Sequence, residues 1–143
     1  GGIASGEAML AAMALGAEGI QAGTLFALTE ESSASEEFKK KCTELAEGDT
    51  MLCLKKIAPT RLIKNDLYTK VAEAEDKGAT ADELREILGR AASKRGIFEG
   101  DMESGELEIG QIASDIKSIK PVSEVMKELI SGFEKAKERV AQL

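Results

Sequence analysis

Apolar residues recur at helical spacing along most of the chain, and polar or glycine-marked stretches separate the runs. In EAMLAAMALGAEG, Met9, Leu10, Met13 and Ala14 fall on one side of a helix predicted from Glu7 to Leu15, with Gly16 as its stop. The polar run TEESSASEEF predicts a loop. Ser33 or Ser35 then caps a helix carrying Phe38, Cys42 and Leu45 on one face as far as Gly48, with Glu36 and Glu37 suited to its N-terminal dipole. Within RLIKNDLYTKVAEAEDKG, the recurrence of Leu67, Val71 and Ala74 predicts a helix ended by Gly78. Thr80 and Glu83 form a capping-box pattern ahead of a helix that buries Leu84, Ile87, Leu88 and Ala91 and finishes near Lys94. Ile109, Ile112, Ala113 and Ile116 mark a short helix, and Pro121 suits the first turn of the last one. There Val122, Met126, Leu129, Phe133, Ala136 and Val140 recur at alternating four-and-three spacing, widened by Val125 and Ile130. Such a stripe packs a core or forms a seam with a partner helix, including a second copy in a homodimer.

Two stretches depart from that period. GIQAGT, with apolar Ile20 and small Ala22 and Gly23, reads as a brief buried strand ending in a glycine turn. In DTMLCLKKIAP a strand is expected from Thr50 to Leu54, and Pro59 forbids a helix through that segment. The opening residues therefore run turn, helix, strand, turn, which is the tail of a βαβ unit whose first strand would precede Gly1. The acidic stretch GIFEGDMESGELEIG reads as a solvated loop. It fails the calcium-loop order, because the sixth position from Asp101 is Glu106 and not glycine.

Composition narrows the chemistry. The 143 residues suffice for one domain with a core, and 43% hydrophobic with 31% charged residues is a globular balance. A net charge of −7 and 3% aromatics argue against nucleic acid as a partner, since phosphate would be repelled and little stacking surface exists. No apolar run approaches the roughly 18–20 residues of a membrane span, and no signal peptide is expected from this composition. Cys42 and Cys53 are too far apart for a CxxC pair and read as reduced cytoplasmic thiols. Histidine is absent, which removes imidazole bases, Ser-His-Asp triads and His-ligated zinc from this chain. No catalytic or metal-ligating residue is assigned. The basic cluster Lys55, Lys56, Arg61 and Lys64 reads as a solvated face, or as one that meets a pyrophosphate or an acyl-carrier surface.

Two turns carry the candidate chemistry: GGIASG before a helix, and QAGT after the expected strand. Each can present backbone amides to a dianionic phosphate, and glycine lets the phosphate approach where a Cβ would block it. The stretch GGIASGEAMLAAMALGAEGIQAGTLFALTEES resembles the late-barrel signature of the FMN-dependent nitronate monooxygenase family, once called 2-nitropropane dioxygenases. The same signature occurs in the related flavin-dependent enoyl-acyl-carrier-protein reductases. The likeness continues more loosely through PTRLIKN and FEGDMESGELEIGQIASDIKSIKPVSEVMKELI.

The resemblance implies the C-terminal part of a parent (β/α)8 TIM barrel. Residues 1–30 would end the flavin-binding barrel and 31–143 would form a helical subdomain. It implies FMN as cofactor, with Gly2 near the phosphate at the first turn and Gln21, Ala22, Gly23 and Thr24 lining the second. The family's catalytic histidine would lie on an earlier strand, so this chain alone would be inactive. The substrate would be a small molecule, either a nitronate oxidised with oxygen or an enoyl thioester reduced by a nicotinamide. Ser5 stands where many relatives have Asp or Thr, and SSAS replaces a loop that often holds a histidine, which blurs the substrate; GELEIGQIASDIKSIKP resembles the nitronate branch more, so a nitronate is the expected substrate and an enoyl thioester the alternative. Lacking barrel neighbours, the isolated chain is expected to be mainly α-helical with one or two short strands, its N-terminal third loose and its affinity for FMN poor. The rival class is a non-enzymatic helical module that uses its last helix as the partner seam.

Overall fold

Most helices begin at a side chain that takes up a free amide. In the computed structural model, which describes residues 1–142, the order is α1 (Gly6–Ala14), α2 (Gly23–Ala27), α3 (Glu36–Thr43), β1 (Thr50–Cys53), β2 (Thr60–Ile63), α4 (Asp66–Asp76), α5 (Ala81–Leu88) and α6 (Val122–Val140). A π-helical turn at Lys94–Phe98 and a 3-10 turn at Gln111–Asp115 lie between α5 and α6. About half the chain is helical, around one two-stranded sheet. Ser5, Ser35, Asn65 and Thr80 accept from the amides of Ala8, Phe38, Tyr68 and Glu83, and Thr80 with Glu83 closes the expected capping box. Each such cap contributes about 1 kcal/mol. α6 is capped from a distance: the Glu31 carboxylate accepts from Val122 N at 2.9 Å.

β1 and β2 pair antiparallel, Thr50 opposite Ile63 and Cys53 opposite Thr60. Their connection starts at Leu54, whose φ of 58° is left-handed and costs roughly 1–2 kcal/mol for a leucine. Its side chain is buried at 2% exposure, which offsets that cost by a similar amount. The hairpin is also a partition. Ile63 faces a core of Leu28, Phe38, Cys42, Leu107 and Ala113, whereas Leu62 and Cys53 face a second core with Leu67, Val71 and Leu84. Segment 107–109 runs along the free edge of β2, with Ile63 N donating to Leu107 O and Ile109 N to Arg61 O. A smaller third cluster joins Leu25 of α2 to Val125 and Leu129 of α6.

α1 rests on α6, and Gly6 makes the contact possible. A Cβ there would stand 2.0 Å from Phe133 N, 2.3 Å from the Gly132 carbonyl carbon and 2.6 Å from Leu129 O. Within the opening residues Gly6 is packed against α6, whereas Gly1 and Gly2 are exposed.

Several sequence expectations are corrected. GIQAGT forms no strand: 18–22 is irregular, Gln21 is exposed, and Gly23 already begins α2. A strand needs a ladder partner, and β1, β2 and 107–109 use one another. β2 lies in residues assigned to the start of a helix; α4 begins only at its Asn65 cap. α5 stops at Leu88 because Gly89 turns left-handed at φ 67°. The acidic stretch is not a solvated loop throughout: it begins in the π-helical turn with Gly96 buried, and Gly105, Leu107 and Ile109 are buried as well. The buried line on α6 is Val125, Leu129 and Ala136, while Met126, Ile130 and Val140 are exposed.

Candidate functional site

The first turn leads through Gly2, at φ 76°, to the Ser5 cap of α1. Nothing lies within 4 Å of a Cβ built on Gly2, so its backbone is open to a ligand. Two amides at the start of α1 already have acceptors. Ser5 Oγ accepts from Ala8 N, and the Glu7 carboxyl is held below its ordinary value by its own backbone amide and then by the Ser5 hydroxyl. The open backbone of this turn is that of Gly2. Gly6 faces α6 and takes no part.

At the second turn Gln21 is exposed, Ala22 packs against the Leu25–Val125–Leu129 cluster, and Gly23 again has nothing within 4 Å of a built Cβ. Thr24 is the anchor. Its hydroxyl oxygen accepts from Gly110 N at 3.0 Å, a bond spanning 86 positions of sequence. That bond uses an oxygen lone pair and leaves the hydroxyl proton available to donate. Gly110 suits the contact, since a Cβ on it would stand 2.4 Å from Thr24 Oγ1.

The two turns open into different cavities. Gly2 lines one of about 460 Å³ with Gln111, Ile112 and Asp115. Gly23 and Thr24 line another of about 400 Å³ with Arg61, Glu108 and Gly110. The consecutive residues Gly110 and Gln111 sit one in each, so the 3-10 turn lies between them.

Sequence reasoning missed Gly110 and the position of Arg61. In the basic cluster Lys55, Lys56 and Lys64 are exposed, as a solvated face requires, and Arg61 is half-buried. Lys56 Nζ donates to the carbonyls of Gly78 and Ala79, and Arg61 Nη1 to Thr50 O and Oγ1, both at 3.2 Å. The β2 register, which the helix assignment concealed, brings Arg61 to the cavity of the second turn.

The remaining reactive groups are quiet. Burial pushes the Cys42 thiol up to about 12. Burial, followed by the carboxylates of Glu75 and Glu106, pushes Cys53 up to about 11. Neither thiol is a ready nucleophile. Among the described residues no three of Cys, Asp and Glu gather where a metal ion could be held, and no helix is long and apolar enough to cross a membrane.

A half-helical chain with open glycine turns beside a half-buried hairpin matches one group of oxidoreductases along nearly its whole length. The nitronate monooxygenase family profile matches residues 1–132. The chain belongs to the nitronate monooxygenase family. A probable nitronate monooxygenase of Staphylococcus saprophyticus subsp. saprophyticus is 34% identical over 100 residues, covering 67% of this chain and 28% of that protein. The structure of FabK from Thermotoga maritima superposes with a TM-score of 0.90 at 33% identity, over 99% of this chain and 45% of that one. Nitroalkane oxidase from Streptomyces ansochromogenes superposes with a TM-score of 0.74 at 26% identity, over 98% of this chain and 40% of that one. The chain spans less than half the length of each of these relatives.

Proposed function

We propose that this chain supplies the FMN-phosphate turns of an FMN-dependent oxidoreductase that oxidises a small nitronate with oxygen. Residues 1–30 then belong to the end of a (β/α)8 barrel, and 31–143 form the subdomain beside it, with α6 returning onto α1. The observation that carries this reading is the backbone of Gly23, open where a Cβ would stand, next to a Thr24 hydroxyl fixed by Gly110 with its proton still to give. A phosphate oxygen fits there because amide and hydroxyl donors converge without a side chain in the way. Gly2 offers a second open backbone across the 3-10 turn, and Gln21 and Ala22 lead the chain into the corner.

When bound, FMN supplies the electron or hydride transfer, and the protein supplies binding and orientation. Thr24 and Gly23 hold the anionic tail and so fix the depth of the ring. The base comes from outside these residues, since the chain has no histidine, and activity belongs to the intact protein. The same reading places that protein in the cytoplasm, with the exposed Met126–Ile130 side of α6 available to a second copy.

The higher TM-score of FabK, an enoyl-acyl-carrier-protein reductase, favours a second reading in which the substrate is an enoyl thioester. Assays of the intact protein with ethyl nitronate and oxygen, and with a nicotinamide and crotonyl thioester, separate the two. The phosphate assignment is tested by Thr24→Val, which loses one donor to a charged group and should weaken FMN binding about tenfold or more. Thr24→Ser should bind normally. Unchanged affinity in Thr24→Val, or an intact protein that takes up no flavin, refutes the assignment.

A further inference from the structure

The cavity at the second turn holds a cation that the turn motif does not include. Arg61 of β2 lines the same space as Gly23, Thr24 and Gly110. Its orientation is set, because Nη1 donates to both the carbonyl and the hydroxyl of Thr50 on the neighbouring strand. Those two bonds occupy one end of the guanidinium, and three further N–H donors remain on the fork. Thr50 is itself buried, at 8% exposure, so the anchor is rigid. Among the described residues no carboxylate comes within 4.0 Å of Arg61 to form an ion pair. The carboxylate of the same cavity, Glu108, is exposed. A half-buried, pre-oriented guanidinium without an acidic partner is a site for an anion supplied from outside.

We propose that Arg61 is a charged ligand for the phosphate held at the Gly23–Thr24 turn, so that the site discriminates phosphorylated from unphosphorylated flavin through a side chain as well as through backbone amides. This rests on the flavin reading of the turn and adds a residue to it. The geometry favours phosphate over the reacting substrate, because the cavity that receives Arg61 is the one that contains the turn. A planar fork meets two oxygens of a phosphate at once, which a backbone amide cannot do. The link also ties cofactor binding to the hairpin: Arg61 can reach the phosphate only while β1 keeps Thr50 opposite Ile63.

The experiment compares FMN with riboflavin, which carries the same ring without the phosphate. Dissociation constants are measured by flavin fluorescence on the intact protein after removal of bound flavin. Arg61→Gln should weaken FMN binding about 10- to 100-fold, the range for a hydrogen bond to a charged group, and leave riboflavin binding unchanged. Arg61→Lys keeps the charge but not the fork, so its FMN loss should be smaller, and it provides the measurement if Arg61→Gln fails to fold. Equal losses for FMN and riboflavin in both variants would mean that Arg61 merely supports the hairpin, and the proposal falls. It falls equally if neither variant alters FMN binding. Wild-type protein that binds neither flavin overturns the flavin reading itself, and the proposal with it. Wild-type protein that binds both flavins equally overturns the proposal and leaves ring binding intact.

Discussion

Replacing Gly6 with alanine adds one methyl group to a helix, ordinarily a gain of about 0.5–1 kcal/mol. At this position the structure reverses the sign. The new Cβ would lie 2.0 Å from Phe133 N, 2.3 Å from the Gly132 carbonyl carbon and 2.6 Å from Leu129 O. All three are backbone atoms of α6, so no rotamer change can clear them. Restoring ordinary contact at about 3.5 Å requires roughly 1.5 Å of separation between α1 and α6, and a gap of 0.5–1 Å already forfeits a quarter to a half of each dispersion contact. Overpacking of this kind costs about 1–3 kcal/mol, with rigid backbone contacts toward the upper end. Net of the propensity gain, Gly6→Ala should destabilise by about 2 kcal/mol. In urea, with a slope near 2 kcal/mol/M, the midpoint should fall by about 1 M at unchanged slope. Gly132→Ala is the internal control. Its Cβ would sit 3.4 Å from the backbone of Gly6, an ordinary contact, inside a long helix. It should be neutral or up to about 1 kcal/mol stabilising. A Gly6→Ala protein as stable as wild type, or a pair that shifts the same way by the same amount, refutes the packing argument.

Two other outcomes are expected. Asn65 caps α4 through Oδ1 to Tyr68 N, and its amide nitrogen donates to Met102 O and Gly105 O. Asn65→Ala should therefore cost about 2–3 kcal/mol, the sum of a cap and two part-buried bonds. Asn65→Asp should not rescue it, because a carboxylate caps well but faces two carbonyl oxygens; near-wild-type stability of Asn65→Asp would reduce Asn65 to a cap alone. The thiols give a pH signature. Both folded values lie above the ordinary 9.0, at about 12 for Cys42 and about 11 for Cys53. The native state thus binds more protons than the unfolded one above pH 9. The associated stability is complete below pH 9 and is lost as pH rises toward 11 and 12, at roughly 1.4 kcal/mol per pH unit for each thiol. Iodoacetamide at pH 8 should label neither cysteine until the protein is unfolded; rapid native labelling of either contradicts their burial.

Local chemistry made much of this molecule legible in sequence. Ser35, the Thr80–Glu83 box and the stops at Gly16 and Gly78 act within a few residues, so α1, the start of α3, the end of α4 and the start of α5 could be placed from spacing alone. β1 was readable from the apolar run before Pro59. What escaped was set at long range. The strand expected at GIQAGT has the right composition and no ladder partner in the chain. β2 looks like the front of a helix because its apolar residues sit directly against the helical period of α4. The rotation of the α6 stripe follows from Gly6 pressing on Leu129, Gly132 and Phe133, a contact that no local rule contains. The site divides the same way. Gly23 and Thr24 announce themselves by motif, whereas Gly110 and Arg61 enter through a bond across 86 positions and a strand register.

The docking of α1 on α6 also has a consequence for birth on the ribosome. The first helix is made about 120 residues before the turn of α6 that receives Gly6. At roughly 5–20 residues per second, it waits some 6 to 24 seconds for its mate to emerge. During that interval Gly6 has no α6 backbone to close on, so the contact between α1 and α6 is among the last that these residues can make.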